Sequence, residues 1–139
     1  MSKVCFYFEL HQPYRLEDFS IFDLGSGTSY FEVSGQERNR VIFQKVARKS
    51  YVPMLRLLLN LVRKHQDFYF SFSCSGVFLE QARSYAPIVI ELLQKLVSSG
   101  QVEVLSETYY HSLAALYSPE EFTKQVALHQ QMVWDLFAV

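Results

Sequence analysis

The hydrophobic and polar positions follow two periods along the chain, one typical of strands and one typical of helices. Short, largely apolar runs over Val4–Leu10, Phe68–Ser75 and Val102–Ser106 predict three strands. Between them, apolar residues recur at three- and four-residue intervals, most clearly in Met54–His65, which predicts helices. Strands that alternate with helices in this way predict an α/β fold whose strands are parallel and joined by right-handed crossovers.

Glycines, prolines and capping residues set the predicted boundaries of the remaining elements. The segment 14–35, rich in Gly, Ser and Asp, predicts a long irregular connection, and such connections in compact enzymes are often functional loops. Gly100 is placed to end a helix, and Ser118 to Glu121 form a capping box with Pro119 at the first helical position. The predicted helices are Gln36–Lys49, Met54–His65, Val77–Arg83, Pro87–Val97 and Pro119–Phe137.

Alternation along each strand separates an apolar face, suited to packing helices, from a more polar face. The polar faces carry Cys5, Tyr7, Glu9 and His11 in the first strand, Tyr69, Ser71, Ser73 and Ser75 in the second, and Glu103, Leu105 and Glu107 in the third. If the sheet curls, these residues line the inside of a barrel. A buried carboxylate requires a partner, so Glu9 and Glu103 predict polar contacts with groups such as His11 or the serines.

The carboxyl ends of the strands predict the candidate site, because parallel α/β folds bind ligands there. His11-Gln12-Pro13 follows the first strand, Ser75-Gly76 the second, and Glu107–His111 the third. The carboxylates Glu9, Glu103 and Glu107 are of the type that glycosidases use as acid/base pairs, although spacing alone does not demonstrate such a pair.

Each candidate also has a purely structural explanation. His11 before Pro13 is equally compatible with a hydrogen-bonded turn histidine, and Glu103 with membership of an ion pair. Tyr109 and Tyr110 are compatible with ordinary packing of a loop. The remaining histidines, interpreted as ordinary surface or half-buried residues of helices, are His65 and His129.

Composition narrows the classes of partner. The formal net charge is −1 and the Lys and Arg residues are scattered along helices, so no basic field for nucleic acid is present. The chain contains 12 Phe, 9 Tyr and 1 Trp, and tyrosine suits both sugar rings and protein interfaces. No signal peptide or membrane-spanning stretch is evident. Cys5 and Cys74 lie in strand-like runs without ligand spacing, which predicts two buried free thiols and a cytoplasmic protein.

Several stretches together resemble glycoside hydrolase family 57. "HQP" ends the first strand and "GQVEVL" forms the third, in the order and spacing of that family's first two motifs. The stretches "NRVIFQKVARKSYVPMLRLLLNL", "FSFSCSGVFLEQ" and "SETYYHSLAAL" are similar to its α-amylase-like branch. The resemblance extends over nearly all of the chain.

The resemblance implies an incomplete (β/α)7 barrel, a retaining mechanism on α-linked glucans such as starch or glycogen, and no required metal or cofactor. His11 and Glu103 match the first two motifs and would line a sugar subsite together with Gln12, where Glu103 would orient His11 or a sugar hydroxyl. The mouth of that subsite would be completed by Glu107, Tyr109, Tyr110 and His111. The nucleophilic glutamate and the acid/base aspartate belong to later motifs, which this chain does not match.

This departure predicts the N-terminal portion of a catalytic barrel that is inactive alone and whose partner is the remaining C-terminal part of the enzyme. No C-terminal capping residue follows the last predicted helix before Val139, which also predicts a truncated piece. Other members of the family, glucanotransferases and branching enzymes, remain open. So do a non-catalytic carbohydrate-binding remnant and a metal-dependent hydrolase on a related barrel, although Gln12-Pro13 replaces the closely spaced ligands that the last would need.

Overall fold

The computed structural model describes residues 4–16, 20–27 and 33–139, and for 33–36 it describes the backbone alone. Its strands are β1 (Tyr7–Leu10), β2 (Phe70–Cys74) and β3 (Val102–Leu105). Its helical segments are α1 (Val33–Val46), a π-helical turn (Ala47–Tyr51), α2 (Val52–Lys64), α3 (Gly76–Tyr85), α4 (Pro87–Val97) and α5 (Pro119–Phe137), with short 3-10 turns at Ile21–Asp23 and Ala114–Leu116. The predicted strands are therefore confirmed, each slightly shorter than expected.

The sheet is parallel throughout, in the order β1-β2-β3. The register pairs Tyr7 with Ser71 and Ser71 with Glu103, so these three residues share one face. The α/β fold with parallel strands and flanking helices, predicted from the alternation of periods, is confirmed. The parallel arrangement brings the carboxyl ends of all the strands to one edge of the sheet.

Helices cover the apolar face of the sheet. Phe70, Phe72 and Cys74 of β2 are buried against residues of α2, α3 and α4, among them the predicted apolar stripe of α2. Burying a side chain such as that of Phe72 stabilises the fold by about 1.5–3 kcal/mol. The opposite face is more open, since Glu103 and Tyr69 are exposed on it. Ser71 and Ser73 are nevertheless buried there.

Cys5 corrects one prediction. Cys74 is fully buried as expected, but Cys5 is exposed, because it precedes the paired part of β1 and belongs to the open face of the sheet. A strand-like pattern shows which face of the sheet a residue lies on, but not whether another element packs against that face. None of the described residues packs over this end of the polar face. The two thiols are both free and lie in different environments.

The first two predicted helices form one continuous helical segment. Residues 50–53, expected to separate them, are helical because the π-helical turn accommodates Pro53. The Val52 N–H bonds to the Ala47 carbonyl, five residues back, so the backbone has already left the α-helical pattern where proline lacks its N–H. The predicted connection over 14–35 lies partly outside the described residues, and α1 already begins at Val33.

The predicted starts of α3, α4 and α5 hold to within a residue. The Ser118 side chain accepts from the Glu121 N–H, as in a capping box, but the Glu121 carboxylate instead accepts from Gln125, at 2.8 Å. Phe137 ends α5 as predicted. Ala138 after it has a left-handed conformation and donates to the Trp134 carbonyl, which corrects the expectation that this helix has no C-terminal cap.

His129 also differs from its prediction. It was expected at the surface or half-buried, yet it is fully buried, and its Nε2 lies 2.8 Å from the carbonyl oxygen of Cys74 at the end of β2. A buried imidazole needs such a partner, and here the partner is a backbone carbonyl, which no sequence pattern reveals. His65, by contrast, is exposed as predicted.

Candidate functional site

Two histidines meet at the carboxyl edge of the sheet. His11 follows β1, and its Nδ1 lies 2.7 Å from the hydroxyl of Ser75, which follows β2. The ring of His111, on the loop after β3, stacks on that of His11 with centroids 4.4 Å apart and an interplanar angle of 26°. The parallel topology thus brings together residues that lie far apart in the sequence.

Two carboxylates hold the His111 ring between them. Its Nε2 lies 3.1 Å from Glu9, and its Nδ1 lies 3.0 Å from Glu107. Each ring nitrogen of His111 therefore faces one carboxylate oxygen. His111 has a φ of 53°, a left-handed conformation that is strained for a residue with a Cβ. Strain of this kind, held in place by hydrogen bonds, is common at functional sites.

His11 has a different electrostatic environment. Partial burial lowers its pKa below the ordinary value, and the neighbouring His111 lowers it further, while Glu107 and Glu9 act in the opposite direction. His11 is therefore expected to be neutral near neutral pH. The site combines a neutral imidazole, a second imidazole that bridges carboxylates, and Glu107, whose Oε1 is buried with no hydrogen-bond partner among the described residues.

Ser75 links this group to the fold. It is fully buried at the end of β2, and its Oγ accepts from the Phe78 N–H at 3.3 Å as the N-cap of α3. The same oxygen contacts His11, so the start of a helix fixes the orientation of a site side chain. Parity had placed Ser75 on the polar face, with the serines as candidate partners for Glu9 and Glu103. The structure pairs it with the histidine instead.

Gln12 turns away from the mouth. Its side chain is buried, and in the amide orientation that satisfies both ends its nitrogen donates to Tyr51 while its oxygen faces the Arg15 guanidinium at 2.7 Å. Its backbone carbonyl accepts from Gln81 at 2.6 Å. Gln12 thus fixes the loop after β1 and supports His11 indirectly.

The two adjacent tyrosines have different environments. Tyr109 is buried, its ring lies directly against Gly76, and its hydroxyl donates to Glu80 Oε1 at 2.5 Å. Tyr110 is 53% exposed and packs edge-on against Tyr109. The packing explanation left open for both therefore fits Tyr109, whereas Tyr110 presents an accessible ring at the mouth.

Glu103 does not orient His11. It is exposed in the middle of β3, beside Ser71, and it forms no hydrogen bond with a described residue, while the hydrogen-bond partner of His11 is Ser75. Four residues of strand, about 13 Å, separate its level in the sheet from that of His11. The alternative role toward a sugar hydroxyl is compatible with its exposure.

Sequence reasoning missed Glu80 and the close approach at Gly76. Glu80 lies on α3 and accepts hydrogen bonds from both Tyr14, at 3.3 Å, and Tyr109. Burial and then Glu80 raise the pKa of both tyrosines, so their hydroxyls remain protonated donors. A single acid within an amphipathic helix is normally a surface residue, and only the contact with two distant tyrosines distinguishes this one.

No described group of three or more His, Cys, Asp or Glu residues is arranged to hold a metal ion. In the part of the chain that the structure describes, no helix has both the length and the apolar character needed to cross a membrane.

A parallel α/β sheet with histidines and carboxylates at its carboxyl edge is the arrangement of enzymes that bind polar small molecules at strand ends. The family model for glycosyl hydrolase family 57 matches residues 5–139. The chain therefore belongs to glycosyl hydrolase family 57, as the motifs predicted.

The curated relatives are longer proteins. A "Putative alpha-amylase" of Methanocaldococcus jannaschii is 36% identical over 135 residues, which is 96% of this chain and 28% of the relative. An alpha-amylase of Pyrococcus abyssi is 27% identical over 86 residues, 62% of this chain and 13% of that one. The chain thus spans less than a third of the length of these relatives.

A solved structure shares the fold. The 4-alpha-glucanotransferase from Thermococcus litoralis superposes with a TM-score of 0.68 at 20% identity, covering 95% of this chain and 17% of that one. At this identity the similarity establishes the arrangement of strands and helices, not the reaction.

Proposed function

We propose that the chain supplies the N-terminal βα units of a retaining, α-amylase-type glycoside hydrolase barrel that acts on α-glucans such as starch, glycogen or maltodextrin. The observation that carries this proposal is the hydrogen-bonded group formed at the carboxyl edge by His11, Ser75 and His111 with Glu9 and Glu107. Parallel α/β enzymes bind substrate at this edge. The curated relatives named alpha-amylases support the class of substrate.

The role of this group is substrate binding, not bond cleavage. A retaining glycosidase needs two carboxyl groups about 5–5.5 Å apart, one on each side of the glycosidic bond. Glu9 and Glu107 are both engaged with one imidazole, so His111 lies between them where a substrate bond would have to lie. We therefore assign the nucleophile and the acid/base group to the remaining C-terminal part of the enzyme, which is the partner that this chain requires.

We call the part of the substrate site that lies on this chain the half-site, and we assign its sugar contacts to the side chains that are exposed. His11, His111 and Tyr110 lie at the mouth, whereas Glu107, whose Oε1 is buried, contributes by holding His111 in place. Glu103 faces the open side of the sheet and can meet a further hydroxyl. Tyr109 acts through Glu80 and the loop. The proposal requires no metal or cofactor, and a cytoplasmic location, suggested by the free cysteines, forms part of it.

A chimera tests the proposal. The chain replaces the matched 28% of the Methanocaldococcus jannaschii relative, and the release of reducing ends from soluble starch is measured. We expect the chimera to act on starch and the isolated chain to release no sustained reducing sugar. His111→Asn should lower the chimera's activity at least about tenfold, since it removes the ring that joins Glu9 to Glu107 and stacks on His11. Glu91→Gln, on the exposed side of α4, is the matched control.

Product analysis separates the family's reactions. Shortened chains indicate hydrolysis, a ladder of longer and shorter maltodextrins indicates glucanotransfer, and new branch points indicate a branching enzyme. Sustained starch hydrolysis by the isolated chain would contradict the assignment of the catalytic carboxylates to the missing part. A folded chimera with no activity on any α-glucan, beside an active parent, would contradict the proposal as a whole.

A further inference from the structure

A cavity of about 570 Å³ opens beside the paired histidines, between the loop after β1 and helices α1 and α3. His11 and Tyr110 form part of its wall, so it is continuous with the mouth. Glu80, on α3, contributes the carboxylate of the cavity, and Tyr14 and Tyr85 add aromatic surface. The site predicted from the sequence does not include Glu80.

The Glu80 carboxylate is oriented but not saturated. Tyr14 donates to Oε2 and Tyr109 to Oε1, so each oxygen holds one phenol. An ionised carboxylate offers about four acceptor positions, which leaves roughly one on each oxygen. No lysine or arginine among the described residues pairs with Glu80. Its acceptor capacity therefore remains available to a ligand in the cavity.

His11 gives the cavity a donor. Because Ser75 Oγ already accepts from the Phe78 N–H, its own hydroxyl hydrogen is available to His11 Nδ1, 2.7 Å away. When Ser75 donates to Nδ1 in this way, the neutral imidazole carries its hydrogen on Nε2. The cavity then offers both a donor and an acceptor, together with aromatic rings. A polyhydroxylated ring satisfies all of these, since hydroxyls both donate and accept, whereas an ammonium group can only donate.

We propose that this cavity is a glucosyl-binding subsite in which Glu80 accepts hydrogen bonds from two adjacent sugar hydroxyls and Tyr110 packs against the face of the sugar ring. The nature of the ligand rests on the proposed function. Tyr14 and Tyr109 hold the carboxylate in place before the sugar arrives, which reduces the entropy lost on binding.

The test uses the purified chain and measures its affinity for maltotriose by NMR titration. Glu80→Gln keeps the shape but replaces one acceptor oxygen with a donor. We expect it to weaken binding about 10–100-fold, the effect of losing hydrogen bonds to a charged acceptor. Glu91→Gln, an exposed acid on α4, should bind like the wild type. Unchanged affinity in a folded Glu80→Gln variant would overturn the subsite.

Deoxy sugars identify the direct contact. Maltotriose analogues that lack one hydroxyl at the bound ring should bind the wild type more weakly, and should show no further loss in Glu80→Gln. A loss of equal size in both proteins would mean that Glu80 only holds Tyr109 and does not touch the sugar. If Glu80→Gln does not fold, the NMR titration of the wild type with maltotriose still tests the subsite. The signals of the backbone amides of Val77 and Glu80 should then change position as the sugar is added. Changes confined to the amides of Glu9 and His111 would overturn the subsite.

Two outcomes separate this inference from the proposed function. If the wild-type chain and the chimera both fail to bind or cleave any α-glucan, the proposed function fails and the subsite with it. If glucan binds but its affinity is independent of Glu80, only the subsite fails. Spermidine is the probe for a cationic ligand. If the chain binds spermidine but not maltotriose, and Glu80→Gln no longer binds spermidine, the assignment to a sugar is also overturned.

Discussion

Replacing Gly76 with alanine should destabilise the chain through its contact with Tyr109. An added Cβ would lie 2.5 Å from Tyr109 Cγ and closer still to two other ring carbons. Carbon atoms in ordinary contact lie about 3.5–4.0 Å apart, so the ring would have to shift by about 1 Å or more. That shift would break the 2.5 Å hydrogen bond from Tyr109 to Glu80.

The size of the effect follows from three terms. Overpacking in a well-packed region costs about 1–3 kcal/mol. A hydrogen bond to a charged group contributes about 1.5–3 kcal/mol. Opposing these, alanine is favoured over glycine by at most about 1 kcal/mol in a helix interior, and by less at Gly76, the first residue of α3. The free energy of unfolding should therefore fall by about 2 kcal/mol or more.

Urea unfolding followed by circular dichroism, in a double-mutant cycle, measures this coupling. Combining Gly76→Ala with Tyr109→Leu should remove most of the cost of the alanine, because the clashing ring is gone. Gly100→Ala is the control: it has a φ of +73° but open space around it, so its cost is conformational and should not change with Tyr109→Leu. A Gly76→Ala chain as stable as the wild type, or a cost unaffected by Tyr109→Leu, would refute the reasoning.

Two further predictions concern titratable groups. Because the pKa of His11 is lowered in the folded state, the unfolded chain binds more protons on acidification, and the free energy of unfolding should fall from about pH 7 toward about pH 5. His11→Gln should flatten this pH dependence, whereas the control His65→Gln should not. Equal slopes in the wild type and His11→Gln would contradict the assignment to His11. In the native chain a thiol reagent should modify Cys5 rapidly, while Cys74, which is buried and has a raised pKa, should react only after unfolding. The rapid phase of labelling should therefore be lost in Cys5→Ser. Rapid labelling of the native Cys5→Ser variant would contradict this prediction.

Much of the fold was predictable because its causes are local. The apolar stripe of α2, Pro87 at the start of α4 and Ser118 at the start of α5 act within one helix. Strand alternation identified the helix-facing residues of β2, including Cys74. Parallel connectivity then implied that the strand ends meet, which is why His11 and the Glu107–His111 loop were correctly expected at one edge.

The errors arise where the decisive partner is distant in the sequence or belongs to the backbone. His129 is buried with its Nε2 bonded to the carbonyl of Cys74, and a carbonyl is present at every residue. Glu80 resembles any exposed acid of an amphipathic helix until Tyr14 and Tyr109 are placed beside it. Glu103 matched a family motif, yet its position in the middle of β3 separates it from His11 by several residues of strand.

Ser75 shows that the fold and the half-site depend on the same contacts. One oxygen caps α3 and contacts His11, and the preceding carbonyl, that of Cys74, binds His129 from α5. An N-cap is worth about 1 kcal/mol, and an unsatisfied buried polar group costs about 1–3 kcal/mol. Movement of the end of β2 would therefore disturb α3, α5 and His11 together. The His11 imidazole is therefore held by a residue that also fixes the start of α3, which orients the ring without a ligand.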